Sequence, residues 1–255
     1  MTYFFEQVDA WLTVAVLALL LFAAWGSGRW FGGKVHGKAD EAAGGKFIDA
    51  SLALLGLLLA FTFSMSLGRH QQRRAMVVAE SNAIGDFATC ASLLKDPIRA
   101  RLQTVIRDYA QSKYDTARQN PAGAELDKAL KRFQEAQARM TNLVSQAVND
   151  GTPVVAPLTN TLNNLTSSDA SRLAAYRDRL PGSIVLLLSV AAIVALILIG
   201  REQGVLHNQQ VLGPVCFILL VCLVVYVTLD LNQPGRGLIT VSQEPFERLL
   251  AGFAR

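Results

Sequence analysis

Between residues 47 and 94 the chain carries no proline, and that stretch sets most of what the rest can fold into. Its first part, FIDASLALLGLLLAFTFSMSLG (47–68), is apolar and close to the ~20 residues a helix needs to cross a hydrocarbon core of about 30 Å. It runs directly into RHQQRRAMVVAESNAIGDFATCASLL, where apolar residues return at helical spacing: Met76, Val77, Ile84, Phe87, Ala88 and Ala91. The pattern predicts one long helix that leaves the membrane and continues into a polar unit.

Three further apolar runs have spanning length: 10–28, 183–200 and 211–229. Trp11, Trp25 and Trp30 lie near the ends of the first, where aromatic belts form. That run is not preceded by the basic residues of a cleavable leader, so it is expected to be a retained helix. Residues 29–46, rich in Gly and Lys, read as a flexible loop. Pro214 falls in the first turn of the last run, where a helix tolerates it.

The polar region 69–180 is helical in pattern throughout. Asp96-Pro97 ends the long helix and starts the next, whose apolar face carries positions 102, 105, 106 and 109. Asn120-Pro121 and 149–153 are turns. A third helix buries Leu126, Leu130, Phe133, Met140, Leu143, Val144 and Ala147; a fourth, from about Pro157, carries Leu158, Leu162, Leu165, Leu173 and Tyr176.

The expected fold is all-α: an integral membrane protein with four transmembrane helices and an extramembrane helical bundle inserted between the second and third spans. The predicted divisions are 1–68 (a transmembrane hairpin), 69–180 (the bundle, continuous with the second span), 181–229 (a second hairpin) and 230–255 (a tail). Within that tail, 246–253 is expected as a short amphipathic interfacial helix.

Composition agrees. Hydrophobic residues are 51% of the 255 and charged residues 17%, with the charges segregated from the apolar runs. The net charge of +4 sits largely beside those runs. No basic patch interleaved with aromatics accompanies it, so nucleic acid is not an expected partner. The three histidines, His36, His70 and His207, stand singly in three segments, so no metal site is expected. Cys216 and Cys222 lie in an apolar run and Cys90 alone, which gives no disulfide framework. No nucleophile, phosphate-binding or dinucleotide motif occurs, and neither an enzyme nor a cofactor is expected.

Three groups of residues are candidate sites. On the second span Gly56, Ala60 and Ser64 recur every four residues, and with Thr62 they either pack helices closely or line a pore. Beyond it, Arg73 and Arg74 precede Glu80 and Asn82, with Glu80 two turns after Arg73. Asp230 and Arg236, with Pro234 and Gly237, form a turn after the last span. Each of the two charged groups is either a set of structural pairs or part of a charged vestibule at a pore mouth, where charge selects ions by sign. An ion pair of Glu80 or Asp230 with Arg73, Arg74 or Arg236 is one expectation. The positive-inside rule leaves orientation open, because Arg29–Lys46 residues and the set Arg69, Arg73, Arg74, Arg172, Arg177 and Arg179 compete.

Three segments, GLLLAFTFSMS (56–66), RRAMVVAESNAIG (73–85) and LDLNQPGRGLITVS (229–242), resemble the bestrophin-like domain family of bacterial multi-pass membrane proteins. Ser81 stands where the family pattern has alanine, and His70-Gln71-Gln72 where acids are frequent. Bestrophins are pentameric anion channels built from four-span subunits. The resemblance therefore implies a homo-oligomeric channel for small ions, anions favoured, in a bacterial inner membrane. The alternative is a membrane-anchored sensor or scaffold whose bundle binds a partner or signal.

Overall fold

The computed structural model describes residues 10–34, 41–207, 209–233, 235 and 237–254, with the backbone alone for 41–44. Among the described residues eight helices follow in order: α1 (Ala10–Lys34), α2 (Glu41–Ser92), α3 (Ile98–Gln119), α4 (Ala124–Asn149), α5 (Val155–Arg177), α6 (Gly182–Val205), α7 (Leu212–Asn232) and α8 (Glu244–Phe253). No strand occurs among the described residues. Apolar segments of spanning length lie on α1, α2, α6 and α7, so the chain is a membrane protein. The long helix expected from 47 to 94 is α2.

The chain divides into two compact units, Met1–Arg69 with Arg179–Ile239, and His70–Asp178 with Thr240–Arg255. In the first, α1 packs against α6 and α7. Leu21, Leu55, Leu196, Ile218 and Val221 are almost wholly buried in its core. Leu19, Leu57, Leu186, Leu220 and Leu223 point outward, as helices solvated by lipid require.

The expected loop after residue 28 is corrected: α1 continues to Lys34. The reason is packing. Gly28 and Gly32 of α1 meet Gly200 and Gly204 of α6, and a methyl group on any of them would overlap backbone of the facing helix. Small residues let helices approach closely in lipid, where dispersion contacts replace the hydrophobic effect as the driving force. These glycines hold a helix–helix seam, and Gly32 does so instead of loosening a loop. Residues 35–40, the rest of that expected loop apart from 41–46, lie outside the described residues, and 41–46 are helical.

The second unit holds the α2 residues from His70 onward, α3, α4, α5 and α8. Ile84, Phe87, Leu102, Ile106, Met140, Leu158 and Leu165 form its core, on the faces their spacing marks. Asn120 ends α3 in the left-handed conformation, its N–H donating to Thr116 O. The amphipathic helix expected at 246–253 is α8, and its apolar face enters this core: Phe246 is fully buried. It is therefore a packed element of the unit, not an interfacial one.

Candidate functional site

On α2 the residues of the second span fall on two faces. Gly56, Ala60 and Ser64 are exposed, and nothing lies within 4 Å of where a Gly56 side chain would start. Leu55 and Leu59 face the core of the first unit, and Thr62 is buried with them, its hydroxyl donating to the Leu58 carbonyl. Ser66, one turn on, is buried as well. The four proposed pore residues thus separate into an exposed small-residue stripe and a buried threonine.

The first charged group separates in the same way. Arg74 and Asn82 are exposed, beside an open cleft bounded by Ser81, Asp86 and α8 residues Glu244 and Arg248. Arg73 is buried and caps α5: its Nε donates to Ala175 O at 3.2 Å and its Nη2 to Asp178 O at 2.7 Å. A cation placed there satisfies the helix's last carbonyls and opposes its dipole.

Glu80 has no exposed surface and sits at the centre of a four-charge cluster. Lys113 Nζ is 2.9 Å from its Oε1, and Arg172 donates to its Oε2. Lys113 also pairs with Asp169, and Gln137 Nε2 donates to Asp169 Oδ2 at 2.8 Å and to the Tyr109 hydroxyl at 3.2 Å. The Lys113 ammonium lies 4.3 Å from the Phe133 ring centroid. Arg172 extends the cluster to α8, with Nη2 donating to Gln243 Oε1 at 3.1 Å and the guanidinium 5.0 Å from the Phe246 ring. Isolated buried charge is very costly; here two acids balance two bases.

Electrostatics follow from that arrangement. Burial, with the Glu80 and Asp169 carboxylates nearby, pushes the Tyr109 hydroxyl far above its usual range, so it stays neutral. Burial alone would raise Asp169, but the Lys113 ammonium and the hydrogen bonds from Lys113 and Gln137 outweigh it and hold the carboxyl low. Glu80 therefore pairs with Lys113 and Arg172, from α3 and α5, and not with the arginines of its own helix. Lys113, Asp169 and Arg172 were missed. Their signal was present: Lys113 continues the buried series 102, 106, 109 on α3, and Asp169 and Arg172 continue 158, 162, 165 on α5.

In the last turn of α7, the buried Asp230 carboxylate accepts N–H groups of Leu238 and Ile239, the latter at 2.9 Å. Gly237 has φ +104°, and a side chain there would strike Asp230, whose Cγ would be only 2.7 Å away. Asn232 Oδ1 accepts from Leu180 N at 2.7 Å. Asp230 is thus the anchor of a folded exit turn; Pro234 and Arg236 lie outside the described residues. No group of metal-ligating residues occurs among the described residues.

A family model described as Bestrophin-like domain matches residues 14–246. A search of curated proteins finds no match. Among solved structures, a point variant of a bacterial bestrophin homologue from Klebsiella pneumoniae aligns with TM-score 0.69 at 14% identity, covering 97% of this chain and 100% of that one. A second variant gives 0.67 at 13%, covering 96% of each chain. The homologue solved by zinc phasing gives 0.65 at 13%, covering 94% of each. At that identity the likeness is one of fold.

Proposed function

The chain belongs to the bestrophin-like family, and from that premise we propose that several copies assemble into a channel for small ions, with α2 of each copy facing the pore. The carrying observation is the uncovered stripe of Gly56, Ala60 and Ser64, opposite the buried Leu55 and Leu59. Small and hydroxyl side chains suit a narrow path, and a passive pore needs no charge deep in its spans. Thr62 belongs to the packing of the subunit.

In this reading 69–180 is an extramembrane bundle between the second and third spans, and the membrane is the bacterial inner membrane. Arg74 and Asn82 line the vestibule, whereas Arg73 and Glu80 hold its frame; Asp230 anchors the exit turn of its own unit. Anions are the favoured cargo, from the bestrophin resemblance and from exposed Arg74.

The test is ion flux into liposomes holding the purified protein, chloride against potassium, together with the mass of the detergent-solubilised assembly. A multimer with chloride flux above potassium flux supports the proposal. A monomer or dimer without flux transfers the protein to the sensor or scaffold reading.

A further inference from the structure

A second cleft in the second unit differs from the one beside Arg74. It opens between α2, α3 and α8 with a volume of about 590 Å³, inside the roughly 300–1,000 Å³ of ordinary small-molecule sites. Helical spacing builds it. Gly85, Ala88, Thr89 and Ser92 share one face of α2 and are too short to fill the space beside α3 and α8. The apolar lining is Ile106 of α3, buried, with Leu249 and Phe253 of α8, both packed on the unit's core. The charged lining is Arg107, next to Ile106 in sequence, and Arg248, next to Leu249. No acid lines this cleft, whereas Asp86 and Glu244 offset the two arginines of the cleft beside Arg74. Arg107 is held at one end: its Nη2 donates to Phe253 O at 2.5 Å, and among the described residues its Nε and Nη1 engage no partner. Arg248 pairs with Glu244 of its own helix, in an ion pair exposed to solvent.

We propose that this cleft binds a small organic carboxylate with an apolar body. A guanidinium meets a carboxylate fork to fork. Arg107, fixed by the α8 carbonyl, loses little further freedom in doing so. Arg248 can exchange Glu244 for the ligand, because an exposed i,i+4 pair contributes little by itself. Ile106, Leu249 and Phe253 have no use in binding a bare inorganic anion. Against the hydrocarbon part of a ligand they shed water. Two cations without an acid repel an amine, so the ligand's charge is negative. The whole cleft lies within the second unit, and its occupation does not require several copies to assemble.

The experiment titrates para-trifluoromethyl-phenylacetate and its primary amide into the whole chain in phosphatidylcholine nanodiscs. Fluorine NMR reads binding, and empty nanodiscs give the background. The carboxylate should bind saturably and at least about tenfold more tightly than the amide, the worth of one charge-assisted hydrogen bond. R107Q/R248Q should erase that preference. Arg107 also caps α8, so Gly252→Trp provides a variant that leaves the cap in place. Gly252 lines the cleft with nothing within 4 Å of where its side chain would start, and the indole should lower carboxylate affinity at least about tenfold by filling the space. Equal binding of acid and amide overturns the proposal, as does carboxylate binding that survives Gly252→Trp. No saturable binding by about 10 mM overturns it as well. Displacement of the probe by acetate as readily as by phenylacetate would make the cleft a bare anion site and overturn the apolar-bodied assignment.

Discussion

The α1–α6 seam and the core around Glu80 solve the same problem, holding helices together, with opposite chemistry. At the seam four glycines remove side chains altogether, and backbone meets backbone. Around Glu80, long charged and aromatic side chains from α2, α3 and α5, with Gln137 of α4, fill the interior. In the proposed reading, with the second unit outside the membrane, the difference follows from solvent. In lipid, burying carbon gains nothing over the surroundings, so closeness itself supplies the energy. In water, apolar burial supplies it, and a neutral charge cluster specifies which helices meet at modest net cost.

The contrast is broken most severely at Glu80. Glu80→Leu leaves Lys113 and Arg172 without their shared acceptor, and should cost about 3–5 kcal/mol. Denaturant unfolding reads the loss, and hydrogen exchange should rise first in α3 and α5. Glu80→Gln, which keeps shape and an acceptor, should cost less. An unchanged midpoint for Glu80→Leu would mean the cluster holds nothing together.

The seam should be less costly to break but more sensitive to size. Gly200→Leu forces a side chain into the carbonyl of Trp25 and should cost about 1–3 kcal/mol through overpacking. Gly56→Leu, in open space, should leave subunit stability within about 0.5 kcal/mol. Unfolding by a denaturing detergent compares them, and equal tolerance would remove the glycine account of the seam.

Acid sharpens the comparison. Asp169 is held below its usual 3.8, so the unfolded chain binds its proton more tightly than the folded one. Its contribution is complete above that value and is lost as pH falls through the depressed one. Stability measured at pH about 6 and about 3 should therefore differ less in Asp169→Asn than in the parent. The glycine seam has no titrating group of this kind, so Gly200 variants should keep the parent's acid slope. The smallest effect is expected at the surface: breaking Arg248–Glu244, an exposed i,i+4 pair 2.5 Å apart, should change stability by no more than about 0.5 kcal/mol.

Much of this architecture was legible from the sequence. Apolar run length marked the four spanning helices, and 3.6-residue periodicity marked the bundle, because each reports a local requirement of its solvent. What escaped was non-local. Gly28 read as the end of a span and Gly32 as a loop residue because nothing nearby in sequence reveals Gly200 and Gly204 across from them. Glu80 invited pairing with Arg73 two turns away, while its partners come from α3 and α5. Lys113 on an otherwise apolar face was the visible clue. Thr62 was grouped with Ser64 by composition, although two residues on a helix turn through about 200° and reach another face.

The central claim, that the uncovered face of α2 lines an ion path, meets its most direct test in one paired measurement. Chloride flux is compared for Ala60→Trp, on that stripe, and for Leu19→Trp, on the outward face of α1, where Leu19 is 71% exposed. The account predicts that Ala60→Trp abolishes flux at an unchanged unfolding temperature while Leu19→Trp conducts as the parent does. Parental flux in Ala60→Trp would contradict it.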